Sequence, residues 1–137
     1  MGQQQLLLIV LGVIIVGIAI VVGINLFNAN ATSSNRDAVV SDLNNLAAMA
    51  HQFYMKPSSM GGGNNTYSNW DITTSGFTKV NATTVSTPNG TYAATDAAQT
   101  VSIVGTGNKT GKDGTNPVQA TMVVKVAPAA DSVAINN

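Results

Sequence analysis

The feature that most constrains this chain is an uninterrupted apolar stretch from Leu6 to Phe27, which reads LLLIVLGVIIVGIAIVVGINLF. It contains no charged residue and no proline, and Asn25 is its one strongly polar side chain. A helix of this length spans roughly 30 Å, the thickness of a bilayer's hydrocarbon core. Apolar residues occur all round it, so it cannot be one face of a surface helix. The stretch must therefore lie in lipid or in the middle of a bundle of its own copies.

The composition of the chain narrows the classes of protein to which it can belong. About 110 residues lie outside the apolar stretch, enough for one small domain. The net charge is zero and only 9% of residues are charged, which argues against attraction to nucleic acid. The chain has no cysteine, and this excludes disulfides, thiolate metal sites and covalent haem attachment. We therefore predict no nucleic-acid partner and no cofactor.

An amphipathic pattern follows the apolar stretch. Its apolar residues recur at intervals of four, three, four and three positions, as one face of a helix requires. The stripe consists of Val39, Leu43, Leu46, Ala50 and Phe53. Asp42, Asn45 and Gln52 are predicted to lie largely away from it. We expect the stripe to pack the helix onto the core of a domain.

The two helical patterns are predicted to form one continuous helix. Residues 28–34 between them are polar but contain neither glycine nor proline, although Ser33 or Ser34 offers a cap for a second helix. Lys56-Pro57 ends the helix, because the residue before a proline disfavours helical geometry. The predicted organisation is an apolar N-terminal helix at 1–34 and a globular head at 35–137 that includes the amphipathic half of the helix.

Short alternating segments after the helix predict an antiparallel sheet. The expected strands are 77–80, 83–86, 91–95, 99–104 and 118–127, with a further short strand at 132–135. Asn89-Gly90 predicts a hairpin turn, and residues 105–116 read as a glycine-rich loop with turn chemistry at Asp113-Gly114. Trp70 is expected to anchor the loop 58–75 on the domain. The predicted fold is α+β, with a long N-terminal helix packed on a small antiparallel sheet.

The start of the chain, together with this plan, resembles a known family. The residues that carry the resemblance are Gln5-Leu6-Leu7-Leu8-Ile9-Val10, directly before and within the apolar run. The chain resembles type IV pilins, pseudopilins and archaeal pilin-like filament subunits. In the bacterial family the mature chain begins with an apolar residue and carries Glu at its fifth position. The resemblance is good over roughly the first 55 residues and only architectural beyond them.

Gln5 stands where that family carries its glutamate, which is thought to meet the N-terminal amine of a neighbouring subunit. A neutral amide accepts a hydrogen bond from an amine but offers no ion pair. Gln3 and Gln4 are expected to share this role, with the alternative that all three form a solvated helix start. No basic leader precedes the apolar stretch, so either Met1 is the mature start or Gly2 is a vestigial peptidase site before Gln3.

The family's helix-breaking proline is also absent from the apolar stretch, where Gly12, Gly17 and Gly23 occur instead. Their spacing of five and six positions is not the GxxxG motif of helix dimers. They are predicted to let neighbouring helices approach at separate points, although ordinary glycine frequency in membrane helices is an equal alternative. The predicted assembly residues are Gln3, Gln4, Gln5, Leu6, Gly12, Gly17 and Gly23.

The resemblance implies a structural subunit that polymerises through its apolar helix into an extracellular filament. Its partners would be copies of itself, the cytoplasmic membrane before assembly and a pilus assembly machinery. Two alternatives remain open: a minor pseudopilin of a secretion system, and a single-pass membrane-anchored binding domain that never polymerises.

The remaining motifs indicate no enzyme. Residues 107–112 superficially match a phosphate-binding loop, but only three residues separate the glycines and Asp113 follows the lysine. His51 is the sole histidine, and we expect a structural or solvent-facing role for it. The aspartates are scattered, so no metal site is predicted. No set of residues for nucleophilic or acid–base catalysis is apparent.

Five N-x-S/T sequons are candidate glycosylation sites, and they become meaningful only if a glycosylating pathway exports the protein. They begin at Asn30, Asn64, Asn81, Asn89 and Asn108.

Overall fold

A computed structural model describes residues 2–126 and 130–137 of the chain. One helix, α1, runs without interruption from Gly2 to Met55 over 54 residues. At 1.5 Å per residue it is about 81 Å long. Its end directly before Lys56-Pro57 confirms the predicted stop, and the polar segment 28–34 does not break it. Met1, one of the two predicted alternatives for the mature start, lies outside the described residues.

The remainder of the described chain forms a six-stranded antiparallel sheet in which every strand pairs with its sequence neighbours. The strands are β1 (Thr78–Asn81), β2 (Thr84–Thr87), β3 (Gly90–Asp96), β4 (Thr100–Thr110), β5 (Pro117–Lys125) and β6 (Ser132–Ile135). Two short 3₁₀ turns, Ser58–Met60 and Ile72–Ser75, lie in the connection from α1 to β1. The predicted α+β fold is confirmed.

The core lies between the second half of α1 and one face of the sheet. The helix contributes Val39, Leu43, Leu46, Ala47 and Ala50, all buried. The sheet contributes Val85, Tyr92, Val101, Ile103, Ala120, Met122 and Val124. The predicted stripe is therefore the packing face, with Phe53 half-buried at its edge. Trp70 is 6% exposed within the same core, as expected of a residue that anchors the loop.

One predicted loop is wrong. Residues 105–110 belong to β4, which extends to Thr110, and only the remainder of the predicted loop connects β4 to β5. The reason is the closeness of α1 to β4. A Cβ atom at Gly105 would lie 2.9 Å from Tyr92 Cε1 and 2.9 Å from Val39 Cγ1. Glycine in this strand therefore leaves room for the helix and does not mark a turn.

The other strand and turn boundaries differ from the predicted ones by small amounts. The β2–β3 connection consists of Pro88 and Asn89, and Gly90 already pairs with Thr87 as the first residue of β3. In the β4–β5 connection Gly114 has φ +73°, which supports the predicted turn. The last long strand, β5, ends at Lys125. Val126, which was predicted to continue the strand, lies beyond its end, and Ala127 lies outside the described residues.

Candidate assembly interface

The first half of α1 is an apolar surface that the head does not cover. The large apolar side chains from Leu6 to Phe27 are 53% to 73% exposed. Contiguous apolar patches of this size mark contacts with lipid or with protein. This helix is long and apolar enough to cross a membrane, so it is compatible with membrane anchoring.

The predicted assembly residues all lie along this exposed half of the helix and are not brought together with residues of the head. Gln3, Gln4 and Gln5 occupy its first turn, where backbone N–H groups have no partner within the helix. A Cβ atom built at Gly12, Gly17 or Gly23 meets nothing within 4 Å. Packing inside the subunit therefore does not require glycine at these positions.

Asp42 connects the helix to the sheet. Its Oδ2 atom accepts hydrogen bonds from Thr87 Oγ1 at 2.9 Å, Asn89 Nδ2 at 3.0 Å and Tyr92 Oη at 2.7 Å. The prediction that Asp42 lies largely away from the packing stripe is therefore wrong. Position 42 follows Val39 by three residues and precedes Leu46 by four, so it flanks the stripe. That spacing indicates that Asp42 lies beside the packing stripe, but it does not indicate which side chains donate hydrogen bonds to it.

Tyr92 is the buried member of this cluster, with no exposed surface. Burial raises the pKa of its phenol, and the hydrogen bond to the Asp42 carboxylate raises it further. The phenol therefore remains a proton donor to Asp42 well above neutral pH.

Two more polar side chains bind the helix to β4 and to the β2–β3 connection near the start of the head. Thr32 Oγ1 donates to the Thr110 carbonyl at 3.0 Å, and Asn35 Nδ2 donates to the Asn89 carbonyl at 2.9 Å. The Asn35 side-chain oxygen also accepts from the Lys109 N–H. The head thus holds α1 from Thr32 onward, close to the predicted boundary at 34. These contacts fix the direction in which the apolar half leaves the head.

His51 lies at the other end of the packed helix and has partners at both ring nitrogens. Nε2 is 2.8 Å from Asp131 Oδ2, and Nδ1 is 2.9 Å from the Tyr67 hydroxyl. Asp131 also accepts the backbone N–H of Lys125 through Oδ1 at 3.0 Å. Burial, and next the charge of Asp131, raise the pKa of Tyr67. His51 therefore ties the helix to the following loop and to the segment before β6, which is a structural role.

The turn between β4 and β5 is held by Asp113. Its carboxylate accepts the backbone N–H groups of Thr115 and Asn116, each at 3.0 Å, and the Asn116 side chain at 2.7 Å. These hydrogen bonds, led by the one from Thr115, hold the pKa of Asp113 well below its usual range. The carboxylate thus closes a hairpin turn.

The five sequon asparagines differ in how they could carry a glycan, which is attached through the side-chain nitrogen. Asn30, Asn64 and Asn81 are exposed. Asn89 is half-buried and its Nδ2 is engaged by Asp42. Asn108 is exposed, but its Nδ2 donates to the Pro88 carbonyl at 2.8 Å. Modification of the folded head would disturb existing hydrogen bonds at the last two positions.

A cavity of about 910 Å³ lies at the end of α1 farthest from the apolar half. Its lining mixes apolar groups such as Phe53 and Trp70 with the charged side chains of Lys56 and Asp71. Asp71 caps the adjacent 3₁₀ turn by accepting the Thr73 N–H at 2.8 Å. Among the described residues, no group of three or more His, Cys, Asp or Glu is placed to hold a metal ion.

The chain has no match among protein-family models, curated proteins or solved structures.

Proposed function

We propose that this protein is the structural subunit of an extracellular filament and that it polymerises through the apolar half of α1. The observation that carries the proposal is the contrast between the two halves of one continuous helix. From Val39 onward the helix is buried against its own sheet, whereas from Leu6 to Phe27 its apolar side chains are exposed on all sides. Such a surface requires lipid or other copies of itself around it.

The proposed subunit uses both environments in succession. It is first held in the cytoplasmic membrane by Leu6 to Phe27, with the head outside. An assembly machinery then moves the helix from lipid into a bundle of identical helices. Because lipid tails are about as apolar as neighbouring helices, the hydrophobic effect changes little in this transfer. Close packing at Gly12, Gly17 and Gly23 and the pairing of Gln3 to Gln5 supply the specificity.

The way in which the apolar half of α1 is joined to the head supports this function. An assembled subunit transmits force from its head to its apolar helix, so the two must not separate. Here they share one unbroken helix and a core, and the polar contacts of Thr32 and Asn35 hold the region where the helix leaves the head. A simple membrane anchor does not require a helix that continues as the central packing element of the domain.

Gln5→Leu tests the contribution of the glutamines. We expect the variant to insert in the membrane and fold, because residue 5 contacts nothing in the head, but to form fewer filaments. Electron microscopy and quantification of protein sheared from cells measure assembly. Gln5→Asn, which keeps a shorter amide, is the matched control and should retain more assembly. Unchanged filament yield in Gln5→Leu would show that the glutamines are a solvated helix start.

The same shearing and electron microscopy distinguish a filament subunit from the two alternative functions. A filament subunit is released from the cell surface by shearing, and fibres of it are seen by electron microscopy. A minor pseudopilin stays in the cell envelope. A non-polymerising anchored domain is extracted by detergent as a monomer, and no fibres form.

A further inference from the structure

Within the described residues the sheet has two open edges, β1 and β6, and alternate main-chain groups of each edge strand face outward. On β6, the N–H of Asn136 donates to the Gln119 carbonyl at 2.8 Å, and Ala134 lies opposite Thr121. In an antiparallel strand the main-chain groups of successive residues point alternately to the two sides. The N–H and C=O groups of Val133 and Ile135 therefore point away from β5, to the open edge.

The β6 edge is short, but it lacks charge, proline and a β-bulge, with which proteins also protect such edges. Its sequence, Ser-Val-Ala-Ile, has no charge and no proline, and its pairing with β5 shows no register shift. Val133 and Ile135 lie opposite Met122 and Ala120, which are buried beneath α1, yet they are themselves 40% and 52% exposed. The strand thus offers free main-chain groups beside an apolar surface. This combination suits the addition of another strand.

We propose that β6 of one copy pairs with β1 of the next copy, so that the sheet continues from head to head. The even number of strands supports β1 of a second copy as the partner of β6. In a six-stranded antiparallel meander β1 and β6 run in opposite directions. A second copy in the same orientation therefore presents its β1 antiparallel to β6, with its helix on the same face of the sheet. The contact is head-to-tail and propagates.

This inference rests on the proposed function in one respect, that all copies are anchored with their helices pointing the same way. That condition excludes antiparallel pairing of two β6 strands, because the twofold axis of such a pair would point the two helices in opposite directions. An odd number of strands would have offered only parallel pairing to copies in one orientation.

The contact is predicted to be short and to form only when copies are held close together. Both edge strands have four residues. β1 carries Lys79 and a register shift between Lys79 and Asn81, and both features discourage extended pairing. Anchoring or bundling of the helices raises the local concentration of heads and compensates for a weak ladder.

Cysteine crosslinking tests the pairing, because the chain has no native cysteine. Thr78→Cys on β1 and Ala134→Cys on β6 place thiols on the sheet face away from α1, since their partners Ser86 and Thr121 alternate with buried residues. Within one subunit the two strands are five strand spacings apart, about 24 Å, which is too far for a disulfide. Any crosslink between them therefore joins two copies.

The two single variants are produced separately and together, and a short thiol crosslinker is applied to membranes and to sheared filaments. We expect covalent dimers when both variants are present and none when either is alone. The double variant should give a ladder of higher multimers. Dimers from Ala134→Cys alone would overturn the proposal in favour of like-with-like pairing. No dimers in either fraction would also overturn it, while filaments in the same sample would leave the proposed function intact.

Val133→Pro and Val133→Ala, each added to the Ala134→Cys chain, form a matched pair. Proline removes the N–H at the open edge without removing a hydrogen bond to β5, whereas alanine keeps that N–H. We expect proline to lower the crosslink yield about tenfold relative to alanine, the effect of losing one hydrogen bond. Equal yields would contradict main-chain pairing. The unfolding midpoint reported by Trp70 fluorescence verifies that both variants are folded.

Discussion

At the scale of single residues, Asp42 links the helix to the sheet. Three side chains from β2, β3 and the turn between them donate to one of its oxygens. Asp42→Ala leaves the buried Tyr92 hydroxyl without its acceptor, and we expect a loss of about 1–3 kcal/mol in the free energy of unfolding. The measurement is thermal or denaturant unfolding of the full chain in detergent, followed through Trp70, the one tryptophan of the chain.

Asp37→Ala is the control for that experiment. Asp37 lies on the same helix but is exposed, so its removal changes charge without removing a buried contact. It should change the unfolding free energy by less than about 0.5 kcal/mol. An equal loss in both variants would show that helix charge, and not the contact with the sheet, explains the effect.

Tyr92 predicts how stability depends on alkaline pH. Its pKa is raised in the folded protein, chiefly by burial, so the folded chain holds the phenol proton more tightly than the unfolded chain does. The corresponding stability is complete below the ordinary tyrosine pKa of about 10 and is lost as pH rises beyond it.

The unfolding free energy of the native chain should therefore fall more steeply above about pH 10 than that of Tyr92→Phe, which has no such proton. Tyr67 also has a raised pKa, and it contributes the same slope to both proteins. Parallel pH profiles for the native chain and the variant would contradict the account.

The contacts between α1 and the rest of the head were only partly predictable from the sequence. The spacing of Val39, Leu43 and Leu46 is a local signal, and it identified the buried face correctly. The partners of Asp42 are 45 to 50 residues away in sequence, and Asp131 is 80 residues from His51. Periodicity carries no information on which distant polar groups meet across a helix–sheet interface.

At the scale of elements, the crossing of α1 over β4 sets the shape of the head. Gly105 leaves space that Val39 and Tyr92 fill. Gly105→Ala places a methyl group 2.9 Å from both neighbours, and relief of that overlap should cost about 1–3 kcal/mol of unfolding free energy.

Gly12→Ala is the matched control, because nothing lies within 4 Å of its added methyl group in the subunit. It should leave the head's unfolding midpoint unchanged. A stable Gly105→Ala head would mean that the helix and β4 are not as closely packed as the structure has them.

The same glycine explains why one element was predicted wrongly. Glycine within a run of polar residues is typical of a loop, and residues 105–110 contain two glycines. In the structure both face the helix, and a Cβ atom at Gly107 would collide with Asn35. The requirement for glycine comes from a neighbouring element, which a local pattern does not reveal. The strands with clear alternation, such as β5, were predicted within one or two residues.

At the scale of the whole molecule, one helix has an exposed half and a half that is packed on the sheet. Its second half is the core element of the head, and the apolar side chains of its first half are exposed outside the head. Length and hydropathy predicted this division because both are local properties of the sequence. Any arrangement of copies would depend on surfaces that meet only between subunits, and no local pattern predicts it.

Electron cryomicroscopy of filaments sheared from cells that produce this chain is the decisive test of the proposed function. We expect a core of α-helices into which residues Leu6 to Phe27 can be built, with the antiparallel heads on the outside. A reconstruction in which the core consists of heads, or in which these helices lie outside the contacts between subunits, would contradict it. So would the recovery of the chain only as a detergent-soluble monomer, with no filaments.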